Sequence, residues 1–151
     1  MARYSAGFRS TGAGSSTLPL GSIYATASVR PLVVEIGVFN STTTATTVAL
    51  VRLSAGTGTK GSAITAVYED DNSQTVLATV ANTHTVTPTT ISTPLRQASL
   101  GAAIGSGVIW TFGGGKTAGL VIPNTTNDAI GIIIPVGSTG QICDITFTWD
   151  E

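Results

Sequence analysis

The stretch that most constrains the fold is 141–151, QICDITFTWDE. Cys143, Ile145, Phe147 and Trp149 are apolar, Asp144, Thr146 and Thr148 between them are polar, and Ile142 alone breaks the alternation. A period of two over eight residues is the pattern of a β-strand with one buried face and one wet face. Phe147 and Trp149 can each bury roughly 150–250 Å², so this face needs sheet neighbours and an opposing layer. The inward row is predicted to be core, with Cys143 a buried, inert thiol. A single cysteine also excludes an intrachain disulfide.

Composition extends this reading to the whole chain. Charged residues make up 10% of the sequence, against about 25% in ordinary globular domains. The polar surface falls instead to 26 threonines, β-branched residues that favour strands, and 18 Gly and 6 Pro punctuate the chain at short intervals. At 151 residues the chain is long enough to bury a core in one domain without staples. The prediction is an all-β fold: an antiparallel β-sandwich, jelly-roll-like, over 18–151, preceded by an extended, flexible N-terminal arm over 1–17.

The arm rests on STGAGSST, a Gly/Ser/Thr stretch that cannot build a core alone. It carries Arg3, Tyr4, Phe8 and Arg9, read as aromatic anchors and charge contacts to a neighbouring subunit. Their acidic partners would be 69–71 or 150–151. After Pro31, even positions Leu32, Val34, Ile36 and Val38 face inward, and 46–53 returns as the second arm of a hairpin. That return strand is apolar on both faces except at Arg52, so a second subunit is expected over one of them. Residues 83–93, with Pro88 inside, read as an edge segment. Residues 95–103 read as the one short helix, and Val108, Trp110 and Phe112 alternate inward. Eight to ten short strands with frequent turn signals give a sandwich or barrel.

Motifs that resemble chemistry fail on their context. Residues 56–61 match G-x-G-x-x-G, but a strand pattern follows where a dinucleotide site needs a helix. Gly115-Lys116-Thr117 resembles the end of a phosphate-binding loop, but Trp110 stands where its first glycine belongs. His84 is the only histidine, without the further ligands a zinc site needs. Glu69-Asp70-Asp71-Asn72 lacks the spacing and glycine of a calcium loop. Asn40-Ser41-Thr42 and Asn124-Thr125-Thr126 fit the glycosylation sequon, a frequent chance match in a Thr-rich chain. No paired carboxylate set of the glycosidase kind stands out. No catalytic residue, cofactor or metal is therefore assigned. A net charge of −1 gives no footprint for nucleic acid or an anionic membrane. It also opposes self-association weakly, which points to a partner-covered surface.

These features together resemble the capsid decoration, or cement, proteins of tailed bacteriophages: a short Thr/Gly/Ala-rich all-β chain with an N-terminal arm over 1–17, a hairpin over 31–53 and closing strands over 119–151. The resemblance implies a non-enzymatic virion protein, a homo-oligomer of trimeric type, bound to the major capsid protein shell on the capsid surface. No functional residue is carried over from it. Residues 1–10, MARYSAGFRS, lack the apolar core of a signal peptide, which predicts synthesis in the host cytoplasm. The interface candidates are Arg3, Tyr4, Phe8, Arg9, Arg52 and Ile142. The alternative is a carbohydrate- or receptor-binding module of a fibre or tail, with Trp110, Tyr24 or Tyr68 as its aromatic platform. An enzyme built on His84, Asp144 or Asp70 is the third and weakest reading.

Overall fold

The computed structural model describes residues 2–54, 60–70, 74–113, 119–123, 125 and 128–151. They form β1 (Arg3–Arg9), β2 (Gly21–Tyr24), β3 (Leu32–Asn40), β4 (Thr46–Ser54), β5 (Ala63–Ile64), β6 (Val67–Tyr68) and β7 (Thr79–Ala81). There follow β8 (Thr90–Ile91), β9 (Arg96–Leu100), β10 (Gly107–Thr111), β11 (Leu120–Val121), β12 (Asp128–Ile133) and β13 (Cys143–Asp150). No helix forms among the described residues. Two antiparallel sheets pack against each other, as the sequence predicts for a β-sandwich. One runs β10-β3-β13-β1-β6, with β11 beside β10 on β3. The other runs β5-β7-β2-β12-β4, with β8 and β9 both on the far side of β4.

Eight of these strands have four or more residues, and they pair in a nested way. The first pairs with the last (β1 with β13), then β2 with β12, β3 with β10, and β4 with β9. The short strands belong mostly to the chain between β4 and β9. They extend the free sides of β1 and β2: β6 pairs with β1, and β7, itself paired with β5, pairs with β2.

The core lies between the sheets, and β13 runs through its centre. Cys143, Ile145, Phe147 and Trp149 are buried to within 1% exposure, as their alternation predicts. Residues 3–9 do not form an arm. They are β1, hydrogen-bonded along their whole length to β13 and burying Tyr4 and Ala6 in the core. The physical reason is the alternation of Tyr4, Ala6 and Phe8, too short and too mixed with Gly and Ser to stand out as a strand.

Two further expectations change. Residues 96–100 form β9 rather than a helix: Ala98 and Leu100 pack toward the core while the ladder with Thr46–Leu50 of β4 sets the backbone, overriding local helix preference. On β3 the register slips at a bulge, with Thr148 opposite Glu35 but Trp149 opposite Val33. The extra residue, Val34, flips the parity. Ile36 and Val38 face inward as expected, but Val33 takes the next core position in place of Leu32 and Val34.

The apolar second face of β4 is covered by the chain itself. Ala49, Val51 and Leu53 form a smaller cluster with Tyr24, Ala81, Ala129 and Ile133 on the outer side of the second sheet. The segment between β7 and β8 runs over this face: the two strands lie on opposite sides of β2, β12 and β4, and His84 within the segment bonds to Ser22 and Tyr24 on the outer side of β2. Most of the Thr-rich stretch 83–93 is therefore a strap, and only β8 within it is an edge strand.

Candidate functional site

Four of the six interface candidates lie on β1, and the structure gives each a partner within the chain. Arg3 stands directly opposite Asp150 and holds it through Nε and Nη2, at 2.7 and 3.0 Å. Arg9 stands opposite Asp144 and does the same, at 2.7 and 2.9 Å. Two charge-assisted forks thus bracket the β1–β13 ladder. The Arg9 hydrogen bond holds the Asp144 carboxyl below the usual carboxylate range, and each guanidinium is raised by its carboxylate. Tyr4 stacks on Trp149 at 5.8 Å and donates its hydroxyl to the Gln74 carbonyl at 2.8 Å. Phe8 stacks on Phe147 at 6.3 Å, and its ring fills the space a Cβ would need at Gly21.

The other two candidates also have partners within the chain. Arg52 follows Val48 and Leu50 on the core-facing side of β4 and donates Nη1 to the Val121 carbonyl at 2.9 Å, tying the two sheets at their rim. Ile142 precedes β13, which frees it from the strand's alternation. It is half-buried, and its carbonyl accepts from the Ser41 amide and hydroxyl at 3.1 and 2.7 Å.

His84 is the centre of the most concentrated chemistry. Its Nε2 lies 2.7 Å from Ser22 Oγ and 3.2 Å from Tyr24 Oη, and the Lys60 ammonium sits 3.6 Å above the Tyr24 ring. Burial, then the Lys60 charge, push the imidazole down to about 4, and a hydrogen bond to the Val86 backbone opposes them. We assign the Nδ1–H tautomer from that backbone bond, which leaves Nε2 to accept from Ser22. Burial also pushes the Tyr24 hydroxyl up to about 12 and lowers the Lys60 ammonium. Serine and histidine stand as nucleophile and base would, but among the described residues no carboxylate orients the ring, and Ser22 is sealed at 0% exposure. Ser22 and Tyr24 lie on the outer face of β2, so His84 pins the strap to the sheet.

Cys143 is buried, and burial pushes its thiol up to about 11. Asn40 is 1% exposed and gives its amide to the Thr44 and Gly101 carbonyls at 2.7 and 3.0 Å, so the first sequon holds a turn and presents no acceptor for a glycan. Residues 56–59, 71–72, 115–117, 124 and 126, where the remaining loop motifs and the second sequon fall, lie outside the described residues.

Three surface features of the described residues bear on function. A polar cleft of about 490 Å³ opens on the outer face of the first sheet, lined by Arg3, Glu35, Glu69, Phe112, Thr148 and Asp150 among others. A smaller, more apolar recess of about 200 Å³ lies between Arg52, Leu53, Pro123 and Asp128 at the end of β4 and β12. The third is an edge. β9, the turn after it and β10 form one side of the sandwich, where Ile104 and Ile109 are 69% and 55% exposed. Residues 97–113 contain no charged side chain. Placing Val108, Trp110 and Phe112 inward on β10 already puts Ile109 on the wet face; the signal for this edge was in the sequence. No family model, curated protein or solved structure matches the chain.

Proposed function

We propose that the protein is a structural assembly module, a self-associating β-sandwich of the capsid-decoration type that binds and stabilises a phage head without catalysis. We read its wiring as a jelly roll: nesting the first strand on the last, the second on the next to last and so inward is what a long hairpin gives when wrapped into two sheets. That architecture is shared by capsid proteins and lectins, so the fold alone does not choose between them. The observation that carries the reading is the uncharged stretch 97–113 with Ile104 and Ile109 exposed, on a body where Arg3, Arg9 and His84 already have partners within the chain. The test is co-sedimentation of the purified protein with phage shells that lack it, beside its mass in solution. Binding to shells with a defined stoichiometry supports the reading. A monomer at every concentration that also leaves shells bare overturns it.

The polar cleft favours a second reading, a glycan-binding module. Carboxylates, hydroxyls of Thr111 and Thr148 and the half-buried Phe112 ring are the groups that sugars use. Of the platforms expected from sequence, Tyr24 is sealed, Trp110 packs against the core and Tyr68 is exposed. A glycan array with hits lost in Glu35→Gln supports this reading, and an array without hits removes it.

A further inference from the structure

We infer that β10 is a homotypic docking edge, at which a second copy of this chain adds its own β10 antiparallel and joins the two first sheets into one. The inference rests on the assembly reading and specifies its lateral contact. Its starting point is which backbone groups β10 has left over. The Asn40 amide donates to Ser106 O at 2.7 Å, and the Phe112 amide donates to Val34 O at 2.9 Å. In an antiparallel ladder such bonds recur at every second residue. Val108 and Trp110, opposite Val38 and Ile36, therefore bond to β3, while the N–H and C=O groups of Gly107, Ile109 and Thr111 point away from it. Among the described residues β10 pairs with β3 alone.

Among the described residues the other outermost strands are shorter or charged: β8 and β11 have two residues each, and β9 has five but carries Arg96. The free sides of β1 and β2 are covered by β6 and β7, and the outermost strands there, β5 and β6, are two residues long. Short edges and edge charges are the usual protection against pairing. β10 has five residues, no proline, no charge and an exposed isoleucine at its centre.

A second copy fits this edge on two grounds. The first is self-complementarity. A two-fold axis at Ile109 sets Ile109 against its counterpart and Gly107 against Thr111 of the other copy, with all three free N–H/C=O pairs facing partners of their own kind. The exposed Ile109 side chains then cover one another on the outer face, and Trp110 meets Val108 on the inner face. The second is charge. Two copies of an uncharged segment meet without repulsion, whereas the opposite edge, at β6, is followed by Glu69 and Asp70, and self-pairing there would set like charges together. The contact is two-fold, and so gives a dimer in place of the trimer implied by the family resemblance. A five-residue edge is a small interface, so the dimer forms in a concentration-dependent way.

The experiment is native mass spectrometry and light scattering over a concentration series for the wild type, Ile109→Lys and Val67→Lys, with amide hydrogen exchange on the wild type. The expected result is a wild-type dimer, loss of that dimer in Ile109→Lys, and a dimer unchanged in Val67→Lys. In the wild type, the Gly107, Ile109 and Thr111 amides should gain protection as concentration rises, a readout that does not depend on any variant folding. A wild type that stays monomeric, a trimer, a dimer that survives Ile109→Lys, or exchange at those amides independent of concentration each overturns the proposal. A trimer or monomer that still coats shells overturns this edge and leaves the assembly reading standing.

Discussion

At the scale of single residues, Trp149 and His84 hold the two layers of this fold. Trp149 is fully buried, stacked on Tyr4, and donates Nε1 to the Glu151 carboxylate at 2.8 Å. That carboxylate also accepts from the Leu77 and Ala78 amides at 3.0 and 3.2 Å. Trp149→Ala is expected to cost about 3–5 kcal/mol in urea denaturation; a loss below about 1 kcal/mol would contradict the burial. His84 makes stability depend on pH. Its folded-state value of about 4 lies below the ordinary 6.5, so the unfolded chain takes up the proton first as pH falls. Above pH 6.5 both states are neutral there and the group adds no slope. Between 6.5 and about 4 stability falls with pH, since the charged ring is excluded from a pocket it shares with Ser22, Tyr24 and Lys60. The urea midpoint should therefore drop from pH 7 to pH 4.5 in the wild type and drop less in His84→Gln. Asp144 acts in a separate, more acidic window: its depressed value gives stability that is lost as pH falls below 3.8.

At the scale of elements, β1 is the one whose role differs most between sequence and structure. It lies between β13 and β6 and contributes Tyr4 and Ala6 to the core. Removing residues 2–9 is therefore expected to unfold the domain, seen as loss of the strand signal in circular dichroism and of resistance to proteolysis. A free arm would leave both intact. The comparison with β13 explains what was legible. In β13 four large apolar residues alternate with hydroxyls and carboxylates, so period two is plain. In β1 Ala6 replaces a large side chain and Gly7 adds nothing to either face, and the stretch reads like its Ser/Gly-rich continuation. The sequence offers 69–71 and 150–151 as acidic partners for the arginines; Arg3 takes Asp150, whereas Arg9 takes Asp144, which lies in neither group. Both partners lie on the same chain and not on a neighbouring subunit, which local sequence does not show because the pairings span 147 and 135 residues. β9 was obscured in another way: Arg96, Gln97 and Ala98 favour helix locally, and only the ladder with β4 decides the matter. The pinning of the strap by His84 had no local signal at all, since Ser22 and His84 are 62 residues apart.

At the scale of the whole molecule, the chain separates a face it seals from an edge it leaves open, and the two can be told apart by mutation. A strand apolar on both sides, such as β4, invites a partner subunit when read as sequence. The fold answers that demand with its own strap, so that Val51 and Ala49 are buried at 0% within a single copy. A charge placed there is set among buried apolar side chains. Val51→Asp is accordingly expected to destabilise the individual domain by about 3–5 kcal/mol, the scale set by an uncompensated buried charge. The measurement is thermal and urea denaturation at a concentration where the protein is monomeric, beside its mass at higher concentration. Loss of stability in the monomer places the face inside the fold. A stable Val51→Asp monomer that no longer associates would instead make this face the subunit contact, and the strap a cover that gives way when copies meet.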